Sequence, residues 1–213
     1  VETGFGTGLN FLTAWQAWQR TPEPKQALNF ISIEKYPFTK EDLIRSLGNW
    51  PELSRLSQEL INQYPYLAKG SHLLSFDLGK VKLQIIFSHL NSDLETYSFM
   101  ADCWFLNGFS LNKTPSMWPE VLFKLMAKSS HSQTTLSSFS ATEVVRRGLA
   151  DAGFETQKTK GLGGKRDILI GIFKHLKTSM FVKNTPPRWS LQEPSKQIKP
   201  ENRNKTNSTT MMR

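Results

Sequence analysis

Three groups of residues in this sequence have the types and spacing to do chemistry. The first is the run Glu2-Thr3-Gly4-Phe5-Gly6-Thr7-Gly8. Glycines at alternate positions ahead of a helix let the backbone pass close to a bound molecule with no Cβ in the way, and the helix start offers free N–H groups. Such a turn suits a nucleoside-containing ligand. The Gly4-x-Gly6-x-Gly8 spacing departs from G-x-G-x-x-G, and no phosphate-binding Lys follows as in a P-loop, which disfavours dinucleotides and ATP. A turn kept small for packing alone has the same composition. The second group is Glu34, about 25 residues past the glycines, where a doubly wound fold places a carboxylate against ribose hydroxyls. A solvated carboxylate beside Lys35 is the plainer alternative. The third is Asn107, at the end of the apolar run Trp104-Phe105-Leu106, where the crevice of such a sheet opens. There Asn107 can meet a substrate amine, or simply turn the chain.

Other residues carry less. Arg146 and Arg147 lie together on an expected helix, suited to RNA phosphates or to an ordinary exposed helix face. The segment Gly161-Leu162-Gly163-Gly164-Lys165-Arg166 can reach a polyanion or turn a hairpin. The histidines His72, His89, His131 and His175 show no ligand spacing, so no metal site is expected.

The elements that must position these groups alternate. Leu9, Phe11, Leu12, Trp15 and Trp18 recur at helical spacing after the glycines, up to Thr21-Pro22-Glu23-Pro24. Residues 28–33 read as a buried strand ending at Glu34, and 39–47 as a helix capped by Thr39 with Asp42 at its third position. A further helix is expected over 51–64, then a hairpin of 73–76 and 80–87 turning near Asp77-Leu78-Gly79. Strands follow at 103–106, 135–140, 154–159 and 167–173, and helices at 119–128 and 141–152, the latter ending at Gly153. This alternation predicts an α/β domain with a mainly parallel sheet.

Length and composition bound the rest. A chain of 213 residues suits one domain plus a tail, with 1–173 as the domain and 174–213 as a basic linker or disordered tail rich in Pro, Asn, Ser and Thr. Of the net charge of +9, the tail carries nine Lys/Arg against two Asp/Glu, leaving the body nearly neutral. Such a tail suits RNA, and a solvated tail has the same make-up. No apolar run approaches the roughly 18 residues that span a bilayer, and no signal core follows Val1, so a cytoplasmic fragment with no membrane partner is expected. The one cysteine, Cys103, sits in an apolar run and reads as a structural thiol.

Taken together, VETGFGTGLNFL at 1–12, IEKYPF at 33–38, WPEL at 50–53, WFLNGFSLNKTPSMW at 104–118, VRRGLADAGF at 145–154 and KGLGGKRDILI at 160–170 resemble the methyltransferase domain of the bacterial bifunctional MnmC family. The resemblance runs in order over about residues 1–173. It implies a class I, Rossmann-like fold dependent on S-adenosyl-L-methionine, with helices flanking the sheet. The implied reaction moves a methyl group to the aminomethyl nitrogen of 5-aminomethyl-2-thiouridine at the tRNA wobble position. Glu2, Gly4, Gly6, Gly8 and Glu34 would then hold the cofactor, and Asn107 and Phe109 would face the amine. Arg146, Arg147, Lys165 and Arg166 would be the RNA contacts. Full-length relatives carry a fused FAD-dependent oxidoreductase domain, whose glycine fingerprint does not occur in this sequence.

The departures matter too. Ser88-His89 stands where the family has Gly-Asp, which puts His89 at the position expected to contact the adenine amine. Asn107 replaces an Asp, and a Pro-Gly-Gly is missing around residues 129–134. The strand that precedes the turn in the family, at the centre of the sheet, is expected to be absent, leaving its neighbours with unpaired backbone groups. Two other readings stay open: an inactive remnant with at most residual tRNA binding, and a dinucleotide-dependent oxidoreductase.

Overall fold

The computed structural model describes residues 1–22, 26–65, 69–88, 97–107, 120–161 and 167–174. His89, Phe109, Lys165, Arg166 and the tail from 175 onward lie outside these described residues. Strand β1 is Glu2–Thr3, followed by α1 (Leu9–Arg20), β2 (Leu28–Glu34), α2 (Lys40–Leu47) and α3 (Ser54–Gln63), the last preceded by a 3₁₀ turn at Pro51–Leu53. Next come β3 (Gly70–Phe76), β4 (Val81–Phe87), β5 (Ala101–Leu106), α4 (Glu120–Lys128), β6 (Ser130–Ser138), α5 (Glu143–Asp151), β7 (Phe154–Thr159) and β8 (Ile168–Phe173). The eight strands form one sheet in the order β3-β4-β2-β1-β5-β6-β8-β7. The run from β4 through β6 is parallel, while β3 pairs antiparallel with β4, and β8 antiparallel with both β6 and β7.

The apolar pattern explains why the sheet is covered twice. Along β2 and β4 nearly every residue is buried, as parallel strands sandwiched between helices require. Successive residues point to opposite faces. Phe30, Leu83, Ile85 and Phe87 therefore join the cluster under α1, α2 and α3, with Phe11, Leu12, Trp15, Leu43 and Leu60. Ile31, Ile33, Ile86, Trp104 and Leu106 join the cluster under α4 and α5, with Leu122, Met126, Val145 and Leu149. Local signals set the ends of several elements. The Thr39 hydroxyl accepts from the Asp42 N–H at 3.1 Å, capping α2, and the β3–β4 hairpin turns through Asp77–Gly79.

Two differences from the expected layout have physical causes. Strand β6 begins at Ser130, ahead of the expected residue 135, because its polar start is anchored by the neighbouring strand. The buried Trp104 Nε1 donates to Ser130 Oγ at 3.0 Å, and Thr134 Oγ1 donates to the Ala101 carbonyl at 2.6 Å. The slot expected to lack its strand is held by Glu2–Thr3. Glu2 pairs with Ser32 on one side and Phe105 on the other, and Thr3 with Ile33 and Leu106. Gly4 N donates to the Ile33 carbonyl and Phe105 N to the Val1 carbonyl. Two residues are too short for periodicity to reveal, yet they satisfy both neighbours next to the crevice.

Candidate active site

Strand ends β1, β2 and β5 lie side by side, so the turn after β1, the residue closing β2 and the residue following β5 converge on one edge of the sheet. The glycine turn is bound into that edge. Gly6 N donates to Glu34 Oε2 at 2.9 Å, and the other Glu34 oxygen accepts from Tyr36 N at 2.7 Å. Glu34 is thus buried against the turn rather than solvated beside Lys35, with lone pairs beyond these two hydrogen bonds still available.

Gly4, Gly6 and Gly8 all adopt positive φ, at 85°, 51° and 75°. Gly8 is constrained twice, because a Cβ there would lie 2.7 Å from Phe5 Cζ and 3.0 Å from Leu60 Cδ2. This is the packing role that composition alone left open. Gly6 differs: a Cβ on it would meet nothing within 4 Å, so the turn faces open space at the point where Glu34 grips it.

Glu2 behaves differently from Glu34. It is fully buried, and Oε2 accepts from the Asn10 side-chain amide at 3.1 Å while Oε1 has no hydrogen-bond partner. Burial pushes its carboxyl up from 4.5 to about 7. The Asn10 amide and, more weakly, the Ser32 hydroxyl pull the other way, while the charge of Glu34 adds to the rise. Ser32 is the register partner of Glu2 but does not reach hydrogen-bonding geometry.

Asn107 is tied to the same edge through its backbone. Its N–H donates to the Thr3 carbonyl and its carbonyl accepts from Thr3 Oγ1, both at 3.2 Å. Glu2, Gly4, Gly6, Gly8, Glu34 and Asn107 are therefore brought together. Arg146 and Arg147 are not. They sit on α5, which packs on β7, four strands from β1, and both pair with Glu143 on their own helix at 3.7 and 3.0 Å. Exposed pairs of that kind contribute only about 0.3–0.5 kcal/mol. An open groove of about 540 Å³ runs beside them, but its other charges, Lys174 and Glu155, are also paired, at 3.8 Å.

Sequence reasoning missed Tyr64. Its ring stacks on Phe5 of the turn at 6.1 Å and meets Phe87, the last residue of β4, edge-on at 6.2 Å. The hydroxyl is buried with no partner, and burial followed by the nearby Glu34 charge pushes its pKa up. The spacing Leu53, Leu56, Leu60, Tyr64 was a readable signal that Tyr64 faces the core. Among the described residues no group of His, Cys, Asp or Glu could hold a metal ion, and no helix is long and apolar enough to cross a membrane.

Comparison with known proteins gives the family. Residues 51–174 match the family described as S-adenosyl-L-methionine-dependent methyltransferase. The chain is 47% identical over 173 residues to the tRNA 5-methylaminomethyl-2-thiouridine biosynthesis bifunctional protein MnmC of Methylobacillus flagellatus, covering 81% of this chain and 27% of that protein. It is 45% identical over 171 residues to the protein of the same name from a Marinomonas species, covering 80% and 25%. The chain thus spans about a quarter of the length of the curated relatives it matches. In fold it is similar to the crystal structure of MNMC2 from Aquifex aeolicus, with a TM-score of 0.62 at 20% identity, over 86% of this chain and 54% of that one. The family match leaves the dinucleotide-dependent oxidoreductase reading without support. This chain belongs to the S-adenosyl-L-methionine-dependent methyltransferase family.

Proposed function

We propose that this chain transfers a methyl group from S-adenosylmethionine to the aminomethyl nitrogen of 5-aminomethyl-2-thiouridine at the wobble position of a cytoplasmic tRNA. The observation that carries the reading is the 2.9 Å hydrogen bond from Gly6 N to Glu34 Oε2, which unites turn and carboxylate at the crevice end of a parallel sheet. The names of the relatives supply the acceptor. The residues present fit the cofactor: Gly6 faces open space, and both Glu2 Oε1 and the Tyr64 hydroxyl are buried polar atoms awaiting a partner.

When bound, S-adenosylmethionine supplies a methyl group on a positively charged sulfur, open to attack by a nitrogen lone pair. Glu34 would accept hydrogen bonds from the ribose hydroxyls, and Glu2 with the Gly4 to Gly8 turn would hold the methionine portion. His89 would lie at the adenine. Asn107, fixed through Thr3, would offer its side-chain carbonyl to the acceptor N–H, with Phe109 beside it. In-line attack needs positioning and no covalent intermediate, so the site requires no nucleophilic side chain. Residues 1–173 would form the methyltransferase domain and 174–213 a basic linker or tail, with Arg146, Arg147, Lys165 and Arg166 meeting RNA phosphates. The longer relatives are named bifunctional, and in them a fused FAD-dependent oxidoreductase domain would be the partner.

Calorimetry with S-adenosylhomocysteine and with NAD tests the cofactor, and methyl incorporation into tRNA bearing 5-aminomethyl-2-thiouridine tests the acceptor. Saturable binding of S-adenosylhomocysteine alone, with incorporation into that tRNA, is expected. Binding of NAD instead, or cofactor binding with no incorporation, would overturn the reading.

A further inference from the structure

The last registered pair between β5 and β6 is Leu106 with Ser138. The next residue on each strand, Asn107 and Phe139, therefore leaves the same edge of the sheet side by side, about one strand spacing or roughly 5 Å apart. Phe139 is 74% exposed, so its ring is open to solvent. Its backbone is nonetheless pinned. The buried Ser138 hydroxyl accepts from Ser140 N at 3.1 Å and donates to the Ser140 carbonyl at 3.3 Å, clasping both polar groups of the residue beyond. A held turn that presents a free ring is how a protein offers a stacking surface. The cofactor's ribose is not what this ring meets, because Glu34 ends β2, three strands and roughly 14 Å away.

We propose that Phe139 is the stacking platform for the target nucleobase, holding the uridine ring so that its aminomethyl arm reaches Asn107. This rests on the tRNA methyl-transfer reading above. Enzymes that modify a base take it out of its stack, and an aromatic side chain replaces the lost stacking. One face of the base would lie on Phe139 while its substituent extends toward β5. The same edge carries Tyr36 on the β2 side, 69% exposed, with the Lys35 ammonium 4.9 Å above its ring. That pair lies beyond Glu34 rather than beside Asn107, so Phe139 is the aromatic adjacent to the acceptor crevice among the described residues.

The test compares the full chain with Phe139→Ala and Phe139→Tyr, using an anticodon stem-loop that carries 5-aminomethyl-2-thiouridine at the wobble position. Three quantities are read: affinity for S-adenosylhomocysteine, equilibrium affinity for the stem-loop in its presence, and KM and kcat for methyl transfer. Phe139→Ala is expected to weaken stem-loop binding and raise KM by about tenfold to a hundredfold, the range of one base–aromatic stack. Cofactor affinity stays at the parent value, and Phe139→Tyr restores RNA binding. Unchanged stem-loop affinity in Phe139→Ala, with the parent active, overturns the stacking role and leaves the methyl-transfer reading standing. Loss of cofactor affinity together with a lowered Tm overturns it in favour of a packing role. A parent that binds cofactor but neither binds nor methylates the stem-loop overturns the reading and this inference with it.

Discussion

The two sides of the sheet's catalytic edge are built to different rules. On the β1–β2 side, polar groups are buried and aimed inward: Glu2 fully enclosed, Glu34 holding two backbone N–H groups, and Tyr64 wedged between Phe5 and Phe87. On the β5–β6 side, Asn107 is fixed through its backbone among the described residues, and Phe139 stands in solvent on a short serine-clasped turn. The contrast matches two tasks. A cofactor is read in one fixed pose by backbone and buried charge, whereas an RNA base must enter from outside and be met by an open face. Substitutions on the first side should therefore disturb folding and cofactor affinity together, and those on the second side the reaction alone.

Gly8→Ala probes the first side most severely. The new methyl must adopt positive φ, at roughly 1–2 kcal/mol, and press into Phe5 and Leu60, adding about 1–3 kcal/mol of overpacking. Urea denaturation should show a loss of about 2–5 kcal/mol and calorimetry no cofactor binding. Gly6→Ala separates the two components, since its Cβ meets nothing. It should cost about 1–2 kcal/mol, from φ alone. Equal losses in the two variants would mean that Phe5 yields readily and the turn is not rigidly packed.

Glu2→Gln follows, with a signature in pH. The carboxyl titrates near 7 in the folded protein and at 4.5 ordinarily, so between those values the folded state keeps a proton that the unfolded chain releases. Glu2 therefore costs nothing below about pH 4.5, destabilises progressively between about pH 4.5 and 7, and adds little above that. At 1.36 kcal/mol per unit the cost approaches about 3 kcal/mol by pH 8. Glutamine keeps an acceptor for Asn10 and never ionises. The stability of Glu2→Gln relative to the parent should rise by about 2–3 kcal/mol between pH 5 and pH 8, with titrating groups that do not interact with Glu2 cancelling in the difference. A flat difference would place Glu2 in contact with water.

How much of this was legible in advance depends on how local each signal is. The Thr39–Asp42 cap, the Asp77–Gly79 turn and the buried β2 run all announce themselves within a few residues, and all are present. Glu34 was legible as a carboxylate closing a strand, but its grip on Gly6 joins residues 28 apart and exists only in the folded sheet. Tyr64 and Phe139 illustrate the limit. Both are aromatic, one is buried at 7% exposure and the other is 74% exposed, and only the assembled sheet decides which. The sequence cue for β6 began late because Ser130 and Thr134 are polar, and their burial depends on Trp104 and Ala101 across the strand pair.

Glu34→Gln tests whether the first side reads the ribose. One of the two backbone N–H groups now held by carboxylate oxygens would face an amide NH₂, and the charge that strengthens both hydrogen bonds would be lost. A charged hydrogen bond contributes about 1.5–3 kcal/mol, so affinity for S-adenosylhomocysteine should fall by roughly tenfold to a hundredfold. The expected loss of fold stability is of similar size, about 1–3 kcal/mol, because one of those N–H groups loses its acceptor. Should affinity hold while stability falls, Glu34 would be a brace for the turn and not a ligand.

Asn107→Asp gives the smallest change and falls only on the second side. An alkylamine with a pKa of about 10 is almost wholly protonated at neutral pH and has no lone pair to offer. Asn107 can orient an N–H but cannot take the proton, whereas an aspartate can do both. Methyl transfer at pH 7 should therefore rise by about tenfold, roughly 1.4 kcal/mol of barrier, with cofactor affinity and Tm at parent values. The gain should shrink as pH approaches the amine's own pKa, where solvent removes the proton unaided. An equal rate at every pH would show that deprotonation does not limit the reaction, and a gain that persists at high pH would assign the residue to orientation rather than to proton transfer.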